Sequence, residues 1–166
     1  MITSTSNGQI KKIQQLLKKS RTRKEEGLFV AEGIKMFREA PPERIEKIYL
    51  GASFAEKGTW REILREKGLE EKAESLTEVV EDKVFKSLSD TVTPQGVLCL
   101  IRIKESTLEE MIPEEKPALL MILENLQDPG NLGTILRTGE GAGITGVILS
   151  KNSVDIYNPK VIRSTM

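Results

Sequence analysis

The chain of 166 residues contains no histidine. That excludes imidazole general bases, histidine metal ligands and every Ser-His relay. It has one cysteine, Cys99, set in the apolar run Val97-Leu98-Cys99-Leu100-Ile101. Neither an internal disulfide nor a cysteine-based zinc site can form, and the thiol reads as a core residue. No metal-ligand cluster stands out, and no bound metal is expected. Aromatic residues make up only 4%, so stacking on exposed rings is not expected to dominate any contact with a nucleic acid. No apolar run approaches the ~18 residues of a membrane span. The start of the chain lacks the apolar core of a secretory signal. It is basic and acid-poor, as transit peptides are, but its pattern runs unbroken into a folded segment. The expectation is a cytoplasmic protein with no membrane partner.

What is present suits one domain or two small ones: 38% apolar and 30% charged residues. A formal net charge of zero hides an uneven distribution. Residues 1–24 carry Lys11, Lys12, Lys18, Lys19, Arg21, Arg23 and Lys24 and no acid, whereas Glu105, Glu109, Glu110, Glu114 and Glu115 crowd a later stretch. A basic end on a neutral body points to local nucleic-acid contact, with Lys11, Lys12, Arg21, Arg23 and Lys24 as the candidate side chains. A solvated, charged helix face explains the same lysines.

Ile10, Ile13, Leu16 and Leu17 recur at helical spacing from about Asn7 to Ser20. Thr22-x-x-Glu25 is a capping-box pattern for a second helix that Gly27 ends. Strands are expected at Leu28–Ala31 and Ile45–Leu50, with a helix from Ile34 to Glu39 between them. Trp60, Ile63 and Leu64 give one apolar helix face. A short strand is expected near Ala73–Leu76, and Thr77 is expected to open a helix carrying Val80, Val84, Phe85 and Leu88. Val97–Ile103 reads as a central strand, because it is apolar without alternation. Thr107-x-x-Glu110 caps one or two helical turns. The charged, proline-punctuated Glu114-Glu115-Lys116-Pro117 is the best linker. Strands alternating with helices argue a layered α/β architecture.

The chain is organised around Glu124 to Thr138. The apolar run Ala118–Leu123 reads as a buried strand that Asp128-Pro129-Gly130 ends. Asn131 occupies the expected helix N-cap, and Leu132, Ile135 and Leu136 carry helical spacing. Unsatisfied N–H groups at such a helix start favour anions. Arg137 follows Gly133 by one turn, so the glycine is expected to leave room beside a guanidinium suited to phosphate. A solvated Arg137 and an Asn131 that only caps the helix are the plain alternatives. Gly141-Ala142-Gly143-Ile144-Thr145-Gly146 matches G-x-G-x-x-G literally. It follows a helix and precedes a strand, the reverse of a dinucleotide-binding turn, and Val147 stands where a P-loop needs lysine.

Asn131-Leu132-Gly133 with Arg137-Thr138, preceded by Asp128-Pro129 and followed by Gly143, resembles the first motif of the SpoU (TrmH) family. Those are S-adenosylmethionine-dependent RNA ribose 2′-O-methyltransferases of the knotted SPOUT class. Phe29-Val30-Ala31-Glu32-Gly33-Ile34-Lys35 and Thr93-Pro94-Gln95-Gly96-Val97 resemble the start and end of that family's substrate-binding domain. The resemblance implies a small α/β/α RNA-binding domain, like the ribosomal proteins that bind kinked RNA, over residues 1–106. A linker at 107–117 and the first half of a Rossmann-like SPOUT domain at 118–166 would follow. It implies that Asn131 and Arg137 belong to the active site. Lys160 and Arg163 become candidate phosphate contacts, with an exposed-helix role as the alternative. Asp155 to Met166 resembles the family segment just after its second strand. The trefoil knot, most of the methyl-donor pocket and much of the dimer interface are therefore expected beyond Met166. This chain alone is expected to be inactive and not to bind S-adenosylmethionine. The implied partner is ribosomal RNA of the large subunit, and the complete protein is expected to be a homodimer. A non-catalytic RNA-binding module is the rival reading.

Overall fold

The computed structural model describes residues 1–166 apart from Asp90, Val92 and Lys116. Lys116, part of the expected linker, thus lies outside the described residues. The chain divides into two units, Met1–Ile103 and Lys104–Met166.

The first unit opens with α1 (Gly8–Lys18), whose N-cap Asn7 accepts the Gln9 N–H at 2.8 Å. Its apolar stripe, Ile10, Ile13 and Leu16, is wholly buried. Then come α2 (Ser20–Glu26), β1 (Leu28–Glu32), α3 (Ile34–Glu39), β2 (Ile45–Gly51), α4 (Ala52–Glu56) and α5 (Thr59–Glu66). A short α6 (Ala73–Leu76), β3 (Thr77–Val80), α7 (Asp82–Lys86) and β4 (Val97–Arg102) complete it. Among the described residues the sheet order is β1-β4-β2-β3. β4 runs antiparallel to both neighbours, and β2 pairs β3 in parallel. Every β4 residue but Arg102 is buried, as its unbroken apolar run requires of a strand covered on both faces. Alternation along β4 puts Leu98 and Leu100 in one cluster with α1 and with Val84 and Phe85 of α7. Val97, Cys99 and Ile101 face the opposite layer. The result is helix, sheet, helix.

Two expected elements trade places. Ala73–Leu76 forms a helical turn, and Thr77–Val80 forms the strand. The spacing of Val80, Val84 and Leu88 mimics a helix face. Val79 and Val80, however, are β-branched and pair with Leu50 and Gly51 of β2.

The turn before β4 is held by contacts that tolerate no side chain. Gly96 has φ +83°, and a β-carbon there would stand 2.6 Å from Phe54 Cβ. Its neighbour Gln95 accepts the Ile34 N–H at 2.8 Å, tying the turn to the start of α3.

The second unit begins with a tract whose one-turn helix, Glu109–Met111, has Thr107 Oγ1 accepting the Glu110 N–H at 3.4 Å. β5 (Leu120–Leu123), α8 (Pro129–Gly141), β6 (Gly146–Leu149) and α9 (Pro159–Ser164) follow. β5 and β6 are parallel, with Ile122 opposite Ile148 and Leu123 opposite Leu149. α8 is the crossover that a parallel pair demands. Bare Gly139 lets α8 approach Met121, and Met111 lies over Gly146. On the outer face Ile122 is 73% exposed and Ile148 36%.

Candidate active site

Asp128, not Asn131, caps α8. Its Oδ1 accepts the Asn131 N–H at 2.6 Å, Pro129 takes the first helical position, and Leu132 N–H donates to the Asp128 carbonyl at 3.1 Å. The expectation for Asn131 is corrected accordingly. Asp-Pro is the stronger start signal, since proline loses no hydrogen bond at that position. The correction changes the electrostatics. A carboxylate already occupies the positive end of the helix, so a phosphate there would meet like charge. Displaced from the cap, the exposed Asn131 carboxamide is not committed to holding the helix start.

Gly133 also serves a different purpose from the expected one. A β-carbon on Gly133 would stand 2.9 Å from the Val161 carbonyl and would overlap the Ser164 side chain. The glycine admits α9 rather than a guanidinium. Leu132 and Val161 are buried beside this contact. Arg137, one turn on, is exposed, and its Nη1 donates to the Met166 carbonyl at 2.8 Å. That bond engages one prong of the fork and leaves the rest of an exposed cation on α8. By helical geometry Asn131 and Arg137 stand about 9 Å apart along the axis and roughly 120° apart around it. They are two separate exposed side chains on one helix.

The loops at the carboxyl ends of β5 and β6 are joined, and ends of parallel strands are where open α/β sheets place their sites. Asn125 has φ +52°, rare for a residue with a side chain. Its N–H donates to Ser150 Oγ at 2.9 Å, and Leu126 N–H donates to Ser153 Oγ at 3.2 Å. The two hydroxyls are 3.1 Å apart, and Val154 N–H donates to the Leu126 carbonyl at 2.8 Å. The second loop then turns through Asp155 into α9, whose N-cap Asn158 accepts the Lys160 N–H at 2.9 Å. Lys160 and Arg163 both project from α9 as exposed side chains. Nothing in the sequence marks Ser150 and Ser153. Their role depends on a pairing between segments distant in the chain.

The basic residues of the first unit divide into three kinds. Lys11 and Lys24 are exposed. Lys12 is paired with Glu26 at 2.6 Å and Arg21 with Glu25 at 2.7 Å. Arg23 is only 2% exposed, and its Nη1 donates to the Leu16 carbonyl at 2.6 Å and the Leu17 carbonyl at 3.4 Å. It ties α2 to the last turn of α1, so it is corrected from an RNA contact to an interior brace. A basic cluster in sequence gives no sign of which member turns inward.

Comparison with known proteins matches two segments of the chain. Residues 7–99 match the family model "MRM3-like substrate binding domain", and residues 118–166 match "SpoU rRNA Methylase family". An uncharacterized tRNA/rRNA methyltransferase of Synechocystis sp. is 32% identical over 99% of this chain and 57% of its own length. The 23S rRNA (guanosine(2553)-2′-O)-methyltransferase RlmP of Bacillus subtilis is 33% identical over 52% of this chain and 32% of its own. Among solved structures, the AdoMet-bound rRNA methyltransferase from Sinorhizobium meliloti superposes with a TM-score of 0.78 at 28% identity, over 99% of this chain and 59% of that one. The chain thus spans less than two thirds of the length of these relatives. Residues 7–99 of its first unit match an MRM3-like substrate binding domain, residues 118–166 of its second match the SpoU methylase, and the chain belongs to the SpoU rRNA methylase family.

Proposed function

We propose that the protein containing this chain transfers a methyl group from S-adenosylmethionine to a ribose 2′-oxygen of RNA, in the large ribosomal subunit. The observation that carries the reading is α8 itself. Its start is fixed at the ends of two parallel strands, and it exposes a carboxamide and a cation. The donor supplies an electrophilic methyl group when bound. The outer sheet face at Ile122 and Ile148 is open. We assign the donor pocket to the part of the relatives that this chain does not span. The chain's own task is to hold the acceptor. Arg137 binds the RNA phosphate and stabilises the developing alkoxide. A guanidinium is always protonated and has no acceptor site for the proton, so the proton leaves to phosphate or water. Asn131 orients the ribose. Lys160 and Arg163 on α9, with Lys11 and Lys24 on the first unit, contact phosphates. The assembly is a cytoplasmic homodimer.

The test is Arg137→Ala in the full-length protein, read by transfer of labelled methyl into ribosomal RNA. The Met166 carbonyl loses only an exposed partner, so the fold is expected to survive. Transfer is expected to fall about 100-fold or more. Turnover near that of the unmodified protein would remove Arg137 from the reaction.

A further inference from the structure

We propose that Ser150 and Ser153 are positioning residues that set where α8 presents Asn131, an inference that rests on the functional reading above. The serines lie on the loop after β6 but bond the loop after β5. Ser150 Oγ receives the Asn125 N–H and Ser153 Oγ the Leu126 N–H, and the hydroxyls bond each other. The Ser150 N–H extends the strand ladder to the Leu123 carbonyl at 3.0 Å, and the Ser153 N–H closes a turn on the Ser150 carbonyl at 3.0 Å. Leu126 is therefore gripped at both its N–H and its carbonyl. Asn125 is kept in a left-handed conformation that side chains seldom adopt unless their surroundings impose it. Asp128, two residues after Leu126, caps α8. The far side of the same circuit is the Gly133 contact with α9. Strand end, hydroxyl pair, α9 and α8 form one closed loop of contacts. Removing the hydroxyls opens it on the loop side that leads into the Asp128 cap, while leaving the buried α8–α9 contact untouched.

The experiment compares Ser150→Ala, Ser153→Ala and the double variant with the threonine substitutions that keep each hydroxyl. In the 166-residue chain, amide exchange at Asn125 is expected to quicken about tenfold in Ser150→Ala, and that at Leu126 in Ser153→Ala. Protection of the α8 interior is expected to stay as it was. In the full-length protein each alanine is expected to lower kcat while leaving the KM for RNA unchanged, and each threonine to recover the rate. Unaltered exchange at Asn125 and Leu126, equal loss of protection throughout α8, or no recovery by threonine would each overturn the proposal. The functional reading is judged apart. If Arg137→Ala still methylates, that reading falls whatever the exchange data show. If Arg137→Ala is inactive while the double alanine variant turns over normally, only the role of the serines falls.

Discussion

Gly133 of α8 meets the backbone of Val161 of α9 so closely that a single methyl group would stand 2.9 Å from its carbonyl oxygen. Alanine ordinarily favours a helix over glycine by about 1 kcal/mol. Here the clash with main chain and with Ser164 reverses the sign. Gly133→Ala is expected to destabilise the second unit by roughly 1–3 kcal/mol, the range for overpacking. Urea unfolding followed by exchange at α8 and β4 checks it. The α8 amides should lose protection and the β4 amides should not. An α8 as well protected as before would contradict the close approach.

Arg23 and its basic neighbours should separate cleanly. Arg23→Ala strips the Leu16 carbonyl of a buried donor and is expected to cost about 1–3 kcal/mol of stability in the first unit. The slope of RNA affinity against salt should hardly change. Lys11→Glu and Lys24→Glu should do the reverse, with unaltered stability and a slope shallower by about one for each phosphate no longer engaged. Lys12 and Arg21 are expected to be intermediate, since each is already engaged by an exposed glutamate whose pairing is weak. Titration of RNA binding between low and moderate salt decides it.

Burial pushes the Cys99 thiol from its ordinary 9.0 up to about 12. Burial, with Glu78 nearby, raises the Tyr49 phenol from 10.0 to about 12. The unfolded chain releases these protons first, so the folded state binds more of them in the intervening window. Their stabilisation is complete below pH 9 and declines toward 12. Urea midpoints of the first unit should fall across that window, and Tyr49→Phe should lessen the fall. Cys99 should ignore thiol reagents at pH 8 until the unit unfolds. A thiol that reacts in the folded chain would refute its burial.

Isothermal calorimetry of the 166-residue chain with S-adenosylmethionine is expected to show no saturable heat. Micromolar binding would move the donor pocket into this chain.

Much of the architecture is legible in the sequence because local chemistry and final packing agree. The stripe Ile10, Ile13, Leu16 makes α1, and the unbroken run Val97–Ile101 makes a strand walled in on both sides. Ala73–Val80 misleads because a valine spacing compatible with a helix is satisfied instead by pairing with β2, a partner distant in sequence. The family motif locates α8, but proximity along the chain does not settle the duties within it. Only coordinates show that Asp128 caps, that Gly133 admits another helix and that Arg23 faces inward. Ser150 and Ser153 carry no local signal, because hydroxyls gain meaning only from what lies opposite.

The placing of β4 bears on how the protein is made. β1 and β2 flank it without pairing to each other. A nascent chain that has emerged only as far as α7 therefore lacks the strand that joins β1 to β2. Synthesis proceeds from the amino end, so the first unit stays vulnerable to mispairing until its last strand leaves the ribosome.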